Sequence, residues 1–177
     1  MGCVEGLNQK GCRVLPMTSV KWIVFSALFL SLSLCAQDFI GEPSSEALEA
    51  LGPELAALVQ NAEEIRVFSI RPVKEERGAR VGKYPILKER VLKSASEMRQ
   101  LRNGFYQAGT YGKQVADCFV PRHAVQLQAG GQEVRLLICF TCFQIRRVDN
   151  GVRIQIKSTG PLREILDSLL KRAEKRG

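Results

Sequence analysis

The adjacent glycines Gly130 and Gly131 constrain this chain most, because they separate two runs of alternating apolar and polar residues. A two-residue hairpin loop needs positive φ at its centre, which glycine adopts without penalty. Pairing outward from that loop sets Leu127 opposite Val134, Val125 opposite Leu136 and His123 opposite Ile138. The hairpin thus carries the only histidine to the neighbourhood of Cys139. Cys118 precedes the first strand and Cys142 follows the second. Cys118, His123, Cys139 and Cys142 are therefore expected to converge at the open end of the hairpin.

Three thiolates and one neutral imidazole form a donor set that a tetrahedral Zn(II) ion favours, and a Cys-x2-Cys turn lets both sulfurs reach one ion. Four protein ligands point to a closed, structural site rather than a catalytic one. The same cysteines also read as a disulfide or redox pair, with Cys139 and Cys142 as a dithiol couple and Cys118 as a resolving or unpaired thiol. A third reading has unlinked buried thiols beside a core histidine. Phe143 follows Cys142, which excludes the Cys-x2-Cys-His motif of covalent haem attachment.

The series Cys118-Phe119-x-Pro121-Arg122-His123, then the hairpin, then Ile138-Cys139-Phe140-x-Cys142 and Gln144 resembles a family of exported, uncharacterised bacterial proteins. These carry a Cys-Phe-x-Pro-Arg-His motif followed by a Cys-Phe-x-Cys motif. Tyr84-Pro85-Ile86-Leu87 is similar to that family's Gly-Tyr-x-Val-Leu-Gly stretch, with Lys83 and Lys88 replacing or displacing the glycines. The likeness covers residues 64 to 170. It implies that the four residues act as a set, and it implies no activity.

Residues 1–36 read as an N-terminal signal segment. Lys21 precedes an uncharged apolar run, WIVFSALFLSLSLCA, which suits a signal core and is short for a spanning helix. Met17 as the start gives a signal of ordinary proportions, with cleavage near Ala36. Lipidation of Cys35 is disfavoured by the large Leu34 before it, and an uncleaved membrane anchor is the alternative. Export removes Cys3, Cys12 and Cys35 and leaves three cysteines. An odd number cannot all pair internally, whereas an oxidising compartment favours disulfides.

Beyond the signal, residues 37–63 are expected to form a linker and an N-terminal helix, and residues 64–177 an α+β domain containing the Cys/His cluster. The helix starts at Ser44 or Ser45, places Leu48, Leu51, Leu55, Leu58 and Val59 on one face, and kinks or splits at Gly52-Pro53. A strand over 64–72 follows. An extended segment over 83–92 contains Pro85, which favours a sheet edge. Ser94 and Glu97 match a capping box, with Glu97 reaching back, ahead of a helix whose apolar face is Met98, Leu101, Phe105 and Ala108. Asn150-Gly151 marks a second hairpin, with Phe143, Ile145, Ile154 and Ile156 on one face and Gln144, Arg146, Arg153, Gln155 and Lys157 on the other. A last helix starts at Gly160-Pro161 with the stripe Leu162, Ile165, Leu166, Leu169 and Leu170. The whole predicts an α+β fold: a small antiparallel meander of four or five strands packed on two or three helices.

The formal charge is +8, and +6 for residues 37–177 from 23 basic and 17 acidic side chains. Such a balance fits nucleic acid in the cytosol, and export argues against it. An anionic envelope surface facing Arg146, Arg153 and Lys157 is the candidate partner, against a simply solvated sheet face. The membrane enters only through an uncleaved or lipidated N-terminus. Catalytic signals are weak: there is one histidine, no Gly-x-Ser-x-Gly elbow and no phosphate cradle in the loop over 109–117. Cys118 with His123 as nucleophile and base leaves the Cys-x2-Cys unexplained. The residues thus point first to an exported interaction module with a zinc-like structural site. The alternative is a periplasmic thiol-disulfide or cysteine-nucleophile enzyme.

Overall fold

In the computed structural model, Gly130 and Gly131 take φ of 54° and 78°, the left-handed values that a tight turn between twisted strands requires. They join β4 (His123–Ala129) to β5 (Gln132–Cys139) in the expected register: His123 faces Ile138, Val125 faces Leu136 and Leu127 faces Val134. The structure describes residues 41–73, 77–114 and 116–174. The chain divides into two units, residues 1–39 and 40–177, and everything described belongs to the second. The expected signal segment, residues 1–36, lies outside the described residues.

Around that hairpin the chain builds one antiparallel sheet. Its other strands are β1 (Glu64–Ile70), β2 (Arg80–Val81), β3 (Tyr84–Val91), β6 (Gln144–Arg147) and β7 (Arg153–Gln155), in the spatial order β2-β3-β1-β4-β5-β6-β7. The sheet curls into a half-barrel, and three helices complete an α+β fold among the described residues. Seven strands exceed the four or five expected; β2 spans only two residues, too short for alternation to register, while the three-residue β7 is the second arm of the expected Asn150-Gly151 hairpin. The Asn150-Gly151 turn is also wider than a two-residue loop, running from Val148 to Val152. The face assignment survives, since Ile145 still faces Ile154 and Arg146 still faces Arg153. Pro85 is not on the outermost strand. The two residues of β2 pair with Tyr84 and Pro85 alone, and the rest of β3 is left as the edge.

The helices are α1 (Ser45–Asn61), α2 (Ala95–Tyr106) and α3 (Pro161–Glu174). Ser44 caps α1 by accepting from the Ala47 N–H at 3.1 Å, and Ser94 caps α2 by accepting from Glu97 N–H at 3.2 Å. Gly52 breaks α1 with φ 71° and ψ 162°, ahead of Pro53. The break resets the helical phase. Leu48 is consequently exposed, while Ala47 turns inward in its place beside the expected Leu51. Glu97 does not reach back to complete its capping box. Its carboxylate pairs instead with Arg90, a nearly buried cation on β3 whose Nη1 also donates to the Leu169 carbonyl of α3 at 2.9 Å. A buried guanidinium needs a carboxylate more than a helix terminus needs a second cap.

One face of the sheet packs on all three helices. Ile65, Val67, Val125, Leu127, Leu136, Ile138, Ile145 and Ile154 meet Leu55, Val59, Leu101, Phe105, Leu162 and Leu166 in a single apolar core. Arg102 closes the end of α1 by donating to the Val59 and Ala62 carbonyls at 3.1 and 2.6 Å. The opposite face carries a smaller cluster: Phe68, Ile70, Val81, Tyr84, Ala124 and Leu137, with Ile86 and Phe119 against it. That outer cluster is the floor on which the candidate site sits. Among the described residues no helix is long and apolar enough to cross a membrane.

Candidate functional site

Successive side chains of a strand point to opposite faces, so the pleat decides where each candidate goes. Cys139 ends β5 two residues after Leu137 and shares its outer face. A tight turn follows, in which the Cys142 N–H donates to Cys139 Sγ at 3.2 Å. Phe143 then takes φ 57°, a value a bulky residue reaches only under strain, and β6 begins with Gln144 opposite Cys139. Cys118 comes from the loop ahead of β4 and meets this turn, its Sγ 2.6 Å from Cys142 Sγ. Cys118 is exposed, and Cys139 and Cys142 are buried.

The Cys118–Cys142 separation discriminates between chemistries. Two sulfurs bound to one tetrahedral Zn(II) at about 2.3 Å each stand about 3.8 Å apart. A disulfide holds them at about 2.05 Å. At 2.6 Å the pair lies far inside the metal spacing. Sharing a proton with Cys142, together with partial desolvation, pushes the Cys118 thiol above its ordinary pKa.

Two further contacts fasten the same loop. Gln144, buried at 1 % exposure, donates through its amide nitrogen to the Ala116 carbonyl. Its amide oxygen accepts from Arg146 Nε and Nη2 at 3.1 and 3.0 Å. The guanidinium so oriented lies over the Phe119 ring, 3.9 Å from the centroid. Tyr84 completes the wall, and burial raises its phenol pKa while Arg146 opposes the shift.

His123 goes elsewhere. It faces Ile138, a core residue, and so points to the helix side of the sheet. Its Nε2 lies 3.0 Å from Asp167 Oδ1 on α3, and Phe140 packs edge-on against the ring at 5.5 Å. An ionised Asp167 accepts from Nε2–H, which leaves Nδ1 buried with no hydrogen-bond partner. Burial lowers the imidazole pKa, with Asp167 pulling the other way.

The four expected residues thus divide: three cysteines gather on the outer face and the histidine sits on the inner one. Among the described residues, no group of three or more His, Cys, Asp and Glu side chains is arranged to hold a metal ion. The pairing of Cys118 with His123 as nucleophile and base is likewise not formed, since each has a different partner. Sequence reasoning missed Asp167, Arg90 and the pinning role of Gln144. Asp167 lies between Leu166 and the solvated side of its helix, where a carboxylate carries no signal of its own. No protein-family model, curated protein or solved structure matches this chain.

Proposed function

We propose that this chain is an exported binding module whose outer-face loop is fastened to the Cys-x2-Cys turn by a Cys118–Cys142 disulfide. The single observation that carries this is the 2.6 Å approach of an exposed thiol to a buried one. Forming the bond releases two protons and two electrons, which an envelope disulfide accepts by exchange and becomes the dithiol. Cys139 stays a buried thiol that accepts the turn's N–H, which accounts for the odd number of cysteines beyond the signal segment. A structural role fits better than turnover. An enzyme's attacking thiol is exposed with a depressed pKa, whereas Cys118 is pushed upward and Cys139 and Cys142 are at 1 % and 0 % exposure.

A zinc-like ion on Cys118, Cys139, Cys142 and His123 is the second reading. It is favoured by the N–H···S bond in the turn and by the bare Nδ1 of a histidine already held by a carboxylate, the usual second partner of a ligating imidazole. It requires the close sulfurs to separate by about 1.2 Å to reach tetrahedral spacing, and the imidazole to reach them from the opposite face of the sheet.

The module and the thiol enzyme are separated by steady-state reduction of a small aromatic disulfide under excess dithiol. The expected rate is the uncatalysed one for both the native chain and Cys118→Ser. Turnover by the native chain that Cys118→Ser abolishes would overturn the binding-module reading.

A further inference from the structure

The outer face holds an open cleft of about 510 Å³ next to the fastened loop, walled by Lys83, Tyr84, Phe119, Leu137, Arg146 and Arg153. Arg147 also borders it, but that charge is spent on Asp149 and Glu54. The other three cations are not neutralised. Lys83 and Arg153 have no hydrogen-bond or ion-pair partner among the described residues, and Arg146 bonds only to the neutral amide of Gln144 and to an aromatic ring. No carboxylate lines the cleft among the described residues.

Three features go beyond surface charge. Arg146 and Arg153 face each other directly across β6 and β7, and like charges so paired destabilise a sheet. Gln144 meanwhile orients the Arg146 fork without cancelling its charge, although a carboxylate there would have done both. The Tyr84 hydroxyl, on a side chain 3 % exposed, adds a donor with no hydrogen-bond partner among the described residues. A cost in stability, an oriented guanidinium and an unused hydroxyl converge on one space.

We propose that this cleft binds a phosphate group, held by the forks of Arg146 and Arg153 with Lys83 as a third charge, while Phe119, Tyr84 and Leu137 contact the apolar remainder of the ligand. Guanidinium forks match the geometry of phosphate oxygens, and three cations suit a dianion. The volume lies in the range of small-molecule sites. Lys157, grouped with the two arginines from sequence, lies outside the cleft, so the site is a concavity and not the sheet face as a whole. The assignment rests on the binding-module reading and names its ligand class.

Calorimetric titration of the full chain with glycerol phosphate, at fixed ionic strength, tests it. Lys83→Gln and Arg153→Gln remove charges with no structural partner, so folding is unaffected. The double variant is expected to bind at least about tenfold more weakly, while Lys157→Gln binds as the native chain does. Equal loss in Lys157→Gln, or no saturable binding by the native chain to either phosphate source, overturns the site. Vesicles of phosphatidylglycerol against phosphatidylcholine separate the sources: retention on the former that the double variant abolishes assigns the phosphate to a lipid headgroup. Vesicle binding alone, with no dependence on the cleft residues, overturns it. The readout is independent of the cysteines. Absence of phosphate binding in protein whose Cys118 and Cys142 are linked defeats the ligand class alone. Phosphate binding with all three thiols free defeats the fastening alone.

Discussion

Replacing Cys118 with Ser removes one sulfur of the close pair and frees a loop whose ends lie 24 residues apart in sequence. The chain-entropy cost of opening such a loop is about 3 kcal/mol. Urea unfolding is expected to show a loss of that order in Cys118→Ser, and added dithiothreitol should lower the stability of the native chain but leave the variant unchanged. At His123 the effect follows pH. Its folded pKa lies below the ordinary value, so the unfolded chain takes up a proton first as pH falls. Stability is therefore full above about pH 6.5, the ordinary histidine value, and declines below it until the folded imidazole also protonates. The unfolding free energy of His123→Gln should lack that slope. An unchanged slope would assign it to other groups. The register that pairs His123 with Ile138 is legible in the sequence, and the alternation of the pleat already sets the histidine and Cys139 on opposite faces. What composition alone cannot supply is the partner of each: Cys118 and Asp167 are brought in by a loop and a helix distant in sequence.

At the scale of elements, turns and stripes are the readable part. Gly131 sits at φ 78° with open space where a Cβ would go, so Gly131→Ala meets no clash and only the backbone cost of the left-handed region, about 1–2 kcal/mol. Thermal unfolding should record that loss with the fold intact. Both helix caps, the kink at Gly52 and the apolar stripe of α3 follow from local rules. The capping box fails because Glu97 answers a tertiary demand: Arg90, on β3, is 9 % exposed and ties β3 to both α2 and α3. Glu97→Ala leaves that cation buried and unpaired, with an expected cost of about 3–5 kcal/mol. Arg90→Met with Glu97→Leu should recover most of it, because removing both charges also removes the desolvation penalty. A double-mutant cycle by urea denaturation measures the difference, and equal cost in the single and double variants would contradict this account of the pair.

For the molecule as a whole, the fold separates two tasks by face. The inner face of the sheet buries the three helices, and its residues are those that periodicity picks out. The outer face holds the short cysteine turn, the pinned loop and the cleft, assembled from strand ends and loops where no periodicity operates. That division explains why the α+β class was readable while the site was only partly so. It also makes the cysteine pair the test of the account, because the loop that carries Phe119 to Arg146 is tied down there. The most direct measurement is non-reducing peptide mapping, with alkylation of free thiols, on protein purified from an oxidising compartment and analysed in parallel for bound metal. A Cys118–Cys142 disulfide predicts a peptide linking those two residues, an alkylated Cys139 and no stoichiometric metal. Three alkylated cysteines together with about one equivalent of zinc would contradict it and return Cys118, His123, Cys139 and Cys142 to a shared ion.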